Sequence, residues 1–370
     1  MRKILLATTA LVGFAAAGAA QAATTSPLNV TVGGSVDFVA GAYNEARGNT
    51  NGDFETLYSL NFGVTGKAAN GLEYGGNLVL DNYPEASDYF AAQNDGVRVS
   101  EADVFVSGIF GKVQAGDFRG ATDLAVVAPT VGEGQVTGRY INFLGTTTFA
   151  KNLVVGIDGT DHSTNVTYYT PKLGNDMHKV QAAVTYAPNV DSTGNSIVQT
   201  GTSTYKNMFK GVLAYEGAFK DVATGFSADV ISASSDDAAG TRDFMAWGLG
   251  AKVAYNGFTL GGTYTDLGHY NTNASTTQNN KDQQVYTVGL TYEIDKVAVG
   301  VSYLGGQGHD SLGVANSTYV KRLNTYGIGG AYTWAPGLTT NVDGILFDQK
   351  LQAGTKNSGY VLLLSQKLAF

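Results

Sequence analysis

From Val30 to Phe370, apolar and small polar residues alternate with a period of two, and nowhere do apolar residues run together for the ~20 positions that a membrane-spanning helix needs. Val30, Val32, Val36 and Phe38 alternate with Thr31, Gly33, Ser35 and Asp37. Met245, Trp247, Leu249, Ala251, Val253 and Tyr255 oppose Ala246, Gly248, Gly250 and Lys252, and Tyr286, Val288, Leu290 and Tyr292 oppose Thr287, Gly289, Thr291 and Glu293. Period two places each set on one face of a β-strand. The final strand carries the pattern to the last residue: Tyr360, Leu362, Leu364, Gln366, Leu368 and Phe370 are apolar at five of six positions, with an aromatic at each end. Termini are usually polar and frayed. A strand that ends the chain on a bare Phe is expected to lay that face against lipid.

Composition supports two unlike faces. There are 49 Gly, 21 Tyr and 17 Phe, but only 15% of residues are charged, against roughly 25% in a typical soluble domain. The face opposite the apolar row is expected to be small and polar, turned toward water. Tyr and Trp cap the apolar faces, as in Tyr286/Tyr292 and Trp247/Tyr255, where a membrane protein places its interfacial aromatics. Soluble sheets instead carry Lys, Glu and Arg on their solvent faces. Tight connections such as Asn256-Gly257 and Ala335–Gly337 alternate with long polar ones such as Pro188–Asn207 and Gly268–Asp282, the asymmetry of hairpins with short turns at one end and loops at the other. The fold class expected is all-β: a transmembrane antiparallel β-barrel in one domain, residues 23–370.

The N-terminus reads as an export signal. Arg2 and Lys3 precede the apolar Ile4–Ala19, and Ala20-Gln21-Ala22 is a small-residue cleavage site, so residues 1–22 are expected to be removed. Losing the two basic residues takes the formal net charge from −8 to −10. The absence of cysteine excludes a disulfide framework, thiol catalysis and Cys-ligated metal.

One stretch breaks the alternation. After the strand Lys112–Phe118, residues Arg119–Asn152 contain Gly120, Pro129, Gly132, Gly134, Gly138 and Gly145, an apolar run from Leu124 to Val131, and the charges Arg119, Asp123, Glu133 and Arg139. A connection of this length is usually functional. It is too apolar for an external loop, and is expected to fold into the barrel, packing its apolar part on the wall.

In these respects the chain resembles the general porins of Gram-negative outer membranes. The resemblance is carried by the opening Leu28-Asn-Val-Thr-Val-Gly-Gly, the strand–turn–strand Val104–Asp117, the long segment after it, the run Val166–Pro171 and the terminal Phe370. It implies about 16 strands, a homotrimer, and an inward loop, about 119–152, acting as the pore constriction. It also implies contacts with outer-membrane lipid and lipopolysaccharide, and a role for Phe370 as the membrane-insertion signal read by the barrel assembly machinery. The chain departs from the family at Asp117, where an Arg often stands, and at Gln366, a polar residue in the outward row that points to a subunit-facing or interfacial position.

A constriction selects ions through charges on its facing walls. The candidates are Asp117, Arg119, Asp123, Glu133 and Arg139 in or beside the inward segment, and Asp37, Lys67, Glu73, Asp81, Lys210 and Lys252 on the lumen wall. The acidic balance leans toward cations. No catalytic residue, metal site or cofactor is expected: the four His are scattered, and Gly248–Gly250, Gly261-Gly262 and Gly327–Gly330 sit in strands with no following helix, so they read as glycines that bend strands and keep the lumen open. Asp191 and Asp236-Asp237 read as solvated loop acids. The acidic balance also argues against nucleic-acid partners. The functional expectation is a passive channel for small hydrophilic solutes and ions, mildly cation-preferring. The alternatives are a substrate-specific barrel for sugars or carboxylates and a secreted adhesive β-protein.

Overall fold

The computed structural model describes residues 28–46, 51–83, 96–144, 163–190, 205–235, 243–269, 280–310, 320–351 and 354–370. The expected signal peptide, residues 145–152 of the inward segment, and Asp191, Asp236 and Asp237 lie outside them. The strands are β1 Asn29–Glu45, β2 Asn51–Lys67, β3 Glu73–Asp81, β4 Arg98–Gly108, β5 Gly111–Asp117, β6 Thr164–Tyr169, β7 Leu173–Gly174, β8 His178–Asn189, β9 Tyr205–Phe219, β10 Val222–Ser235, β11 Phe244–Tyr255, β12 Phe258–Gly268, β13 Asn280–Ile294, β14 Val297–Asp310, β15 Val320–Ala335, β16 Leu338–Leu351 and β17 Lys356–Ala369.

Chain neighbours pair antiparallel, and β1 pairs with both β2 and β17, closing the sheet. Both β6 and β7 pair with β8, so together they form one stave, and the closed barrel has 16. The break between them falls at Pro171, which has no N–H to give to a ladder. At the seam, the Phe370 amide donates to the Gly34 carbonyl at 3.0 Å and the Gly34 amide donates to the Phe370 carbonyl at 2.9 Å, so the last residue is part of the closure. The tight turns carry the left-handed geometry that a two-residue hairpin needs, as at Asn256 (φ 49°) and Gly257 (φ 82°).

The outward face matches the expectation. Val301, Leu362 and Ile328 are about half exposed or more. Aromatics form one row at Trp247, Tyr264, Tyr286, Tyr303 and Tyr326, with ring contacts Trp247–Tyr264 and Tyr286–Tyr303–Tyr326, and another at Phe258, Tyr292, Tyr332 and Trp334, with ring contacts Phe258–Tyr292 and Tyr332–Trp334. Gln366 keeps its outward register opposite Phe38 and Thr340. The Trp334 indole donates to Thr340 Oγ1 (2.8 Å), which donates to Gln366 Oε1 (2.6 Å), a polar chain at the level of an aromatic row.

The inward face is a partial correction. It is polar toward the tight turns, but toward the other end it becomes apolar. Leu57, Leu267, Val285, Leu304, Leu323, Ile345, Phe347, Val361 and Leu363 all point inward and are nearly fully buried. They form a dry core with Val136, Tyr140, Phe143 and Leu144 of the inward segment. A second inward apolar cluster joins Ala187, Met208, Ile231 and Phe244.

Candidate functional site

Residues 118–144 form a strap inside the barrel, with three short 3-10 turns at Gly120–Leu124, Gln135–Thr137 and Arg139–Phe143. Polar pins from successive strands fix its course. Near β6 and β8, the Ala121 amide donates to Thr185 Oγ1 (2.7 Å) and the Tyr169 hydroxyl to the Gly120 carbonyl (2.8 Å). On β9, Lys210, only 1% exposed, bonds Thr122 Oγ1. The Val126 amide reaches Ser227 Oγ on β10 at 2.8 Å. Gln135 Nε2 donates to the Gly300 carbonyl on β14 at 2.8 Å. At the far end, Asn142 Nδ2 donates to Glu55 Oε1 on β2 at 2.7 Å.

Glu133 is the hub of these pins. Its amide donates to Asp343 Oδ2 on β16 at 2.5 Å. Its Oε1 accepts from Asn341 Nδ2 (2.8 Å) and Ser365 Oγ (2.5 Å), and its Oε2 from Arg139 Nε (2.9 Å). A buried carboxylate is tolerable only when satisfied in this way. Arg139 also lies 4.0 Å from Asp37, which is fully buried, and its guanidinium sits 4.7 Å from the Tyr83 ring centre. Tyr140 is enclosed beside Thr325, and burial pushes its phenol up to about 12, keeping it a hydrogen-bond donor.

The strap leaves the inner wall of β3–β5 uncovered. There Asp103 accepts from Asn77 Nδ2 (3.3 Å) and Gln114 Nε2 (2.8 Å), and Lys112 Nζ donates to Gln114 Oε1 (2.7 Å). The Lys112 ammonium lies 4.2 Å over the Tyr169 ring, a cation–π contact that ties it to the stave holding the strap's start. An open cavity of about 390 Å³ is lined here by Thr31, Asn61, Asn77, Val79 and Glu101.

Among the sequence candidates, Glu133, Arg139 and Asp37 converge on one cluster. Lys210 pins the strap from below. Arg119 and Asp123 are exposed on the strap. Asp81 is nearly buried and accepts from Arg98 Nε at 3.2 Å. Lys67 and Glu73 pair with each other at 2.9 Å beside a tight turn, away from the strap, and Lys252 is exposed toward the same end. Asp117 does not join the interior: Lys112, Gln114 and Gly116 face in, so the pleat turns Asp117 out, where it accepts from Thr164 Oγ1 at 2.5 Å. Sequence reading missed Glu55, Glu101, Asp103, Lys112 and Asp343. The signal for Asp343 was present: an acid in the middle of a strand, in phase with Asn341 and Ile345.

The family described as Gram-negative porin matches residues 7–350. The outer membrane channel DcaP of Acinetobacter baumannii superposes with a TM-score of 0.62 at 15% identity, over 93% of this chain and 97% of that one. The anion-selective porin from Comamonas acidovorans gives 0.60 at 17% identity, over 93% and 100%. Salmonella typhi OmpF, in a complex with daunomycin, gives 0.62 at 15%, over 93% and 97%. At these identities the likeness is one of fold. No curated protein sequence matches this one.

Proposed function

Since this chain belongs to the Gram-negative porin family and is an outer-membrane channel by family and fold, we propose that small hydrophilic solutes and ions diffuse through it passively, with the strap as the narrow zone. The observation that carries this reading is the Glu133 hub, which ties the strap to β16 and β17, several staves round the barrel from the wall of β3–β5. Solutes then pass between the strap and the ladder of Asn77, Asp103, Gln114 and Lys112.

The passage is mildly cation-preferring. Glu101 on the wall and Asp123 on the strap face it, whereas Lys112 is held by Gln114 and Tyr169 and Asp103 by Asn77 and Gln114. The fold itself fixes no sign of selectivity, since an anion-selective porin shares it. The assembly is a homotrimer, the N-terminal 22 residues are an export signal, and Phe370 serves insertion through the barrel assembly machinery.

Planar-bilayer recording of the purified protein tests this. Stepwise insertion in groups of three conductance levels and a reversal potential of cationic sign in a salt gradient are expected. No conductance would overturn the channel reading, and an anionic reversal potential would overturn the proposed selectivity.

A further inference from the structure

The glycines that the alternation leaves inside the barrel are not scattered. Gly250 on β11 lies directly opposite Ser227 of β10. Gly261 of β12 faces Gly289 of β13 across their ladder. Gly300 of β14 faces Gly329 of β15, which in turn faces Asp343 of β16. They make a trough in the inner wall that crosses these strands, stepping two residues along between β11 and β12 and again between β13 and β14, and the strap lies in it.

The fit is by contact. A Cβ on Gly250 would stand 2.7 Å from the Val126 carbonyl oxygen, one on Gly261 2.9 Å from Pro129 Cδ, and one on Gly300 3.0 Å from Val131 Cγ2. A Cβ on Gly327 would meet Gln135 Cβ at 2.9 Å, and one on Gly289 would strike the Pro129 carbonyl oxygen. These glycines are not in the left-handed backbone region, so no turn explains them. What they share is the strap's main chain and short side chains above them. By contrast, Gly330, in the outward phase of β15, has no atom closer than 3.8 Å to such a Cβ.

We infer that this glycine trough is a positioning element of the channel: it sets how deeply the strap lies in the wall, and so the free width left opposite it. Side chains in the trough would not keep the lumen open or closed by themselves. They would lift the strap off the wall and into the passage. The polar pins fix where the strap runs, and the trough fixes its height. The inference rests on the reading of the strap as the narrow zone.

The experiment is single-channel recording of full-length protein carrying Gly289→Ala, Gly300→Ala or Gly330→Ala, with the cut-off for neutral polyethylene glycols measured on the same preparations. Gly289→Ala is expected to lower both conductance and cut-off, Gly300→Ala to do so less, and Gly330→Ala to leave both at the wild-type value. Because Gly300→Ala also crowds Thr291 in the wall, a second change separates the causes: adding Val131→Ala, which shortens the strap's own side chain, is expected to restore conductance. That rescue also keeps the test alive if Gly289→Ala fails to assemble. Unchanged or raised conductance in both trough variants, or no recovery in the Gly300→Ala, Val131→Ala double variant, overturns the inference. A wild-type protein that conducts while the trough variants behave like it breaks only this inference. A wild type that does not conduct breaks the channel reading.

Discussion

The wall beneath the strap and the wall of β3–β5 opposite are built from the same alternation, yet they differ in what they offer the lumen. Under the strap, the inward phase carries the trough glycines, apolar residues such as Leu304 and Ile345, and buried pins such as Asp343, Ser365 and Lys210. On the open wall the inward phase is Glu101 together with Asn77, Asp103, Lys112 and Gln114, polar side chains of which the last four bond one another. Buried polar groups must find partners within the protein, so charge on the covered wall is spent on fixing structure. On the open wall Asp103 is likewise nearly buried by Asn77 and Gln114, while Glu101 and Lys112 stay partly exposed to a passing ion. An inward carboxylate therefore has no functional meaning until its cover is known.

The largest effect should come from breaking the covered side. Glu133→Gln removes the charge that accepts from Arg139, Asn341 and Ser365. Taking one partner from a buried ion pair costs about 3 kcal/mol or more. The barrel is closed by its own ladders, so the loss should fall on the strap. Heat-denaturation in detergent should show a modest change for the barrel, while current traces become noisy as the strap leaves its seat. Quiet traces of wild-type amplitude would show that the hub does not hold the strap.

On the open wall the effect should be smaller and of a different kind. Lys112→Met removes the cation of the ladder without touching the hub. A unit charge ~10 Å from an ion in water is worth about 0.4 kcal/mol, or about twofold in the occupancy of each sign of ion. The reversal potential should therefore move in the cationic direction while traces stay quiet. The shift should shrink in molar salt, where the screening length is about 3 Å. A shift unaffected by salt would mean that Lys112 acts through structure instead.

The difference between the two walls was only partly legible in the sequence. Strands, tight turns, the two aromatic rows and the departure of the strap from the alternation follow from residue periods and turn chemistry, as at Asn256-Gly257. Cover was not legible, because it depends on which residues of one segment lie over strands far along the chain. Glycines 250, 261 and 327 therefore read as residues that bend strands and keep the lumen open, and Glu133 as a lumen charge. The inward Leu304, Leu323 and Phe347 contradict a polar inner face for the same reason: Tyr140 and Phe143 dry them. Asp117 is a different case. The phase of Lys112 and Gln114 already placed it with Val113 and Ala115 on the outward row, and proximity to the strap outweighed that signal.

Asp123 and Asp117 turn this into the finest comparison, the same charge removed twice within six residues of chain. Asp123→Asn takes an acid from the exposed face of the strap and should move the reversal potential in the anionic direction, by less than Lys112→Met moves it the other way, because the group is well solvated. Asp117→Asn takes one from the outer surface, where its partner is Thr164 and the barrel wall stands between it and the passage. An amide can still accept from that hydroxyl, and a surface change of this kind is worth about 0.5 kcal/mol at most. Neither stability nor reversal potential should respond measurably. If Asp117→Asn shifted the reversal potential as much as Asp123→Asn, the pleat of β5 would have to be read with Asp117 inward, and the open wall would gain an acid at the strap's point of departure.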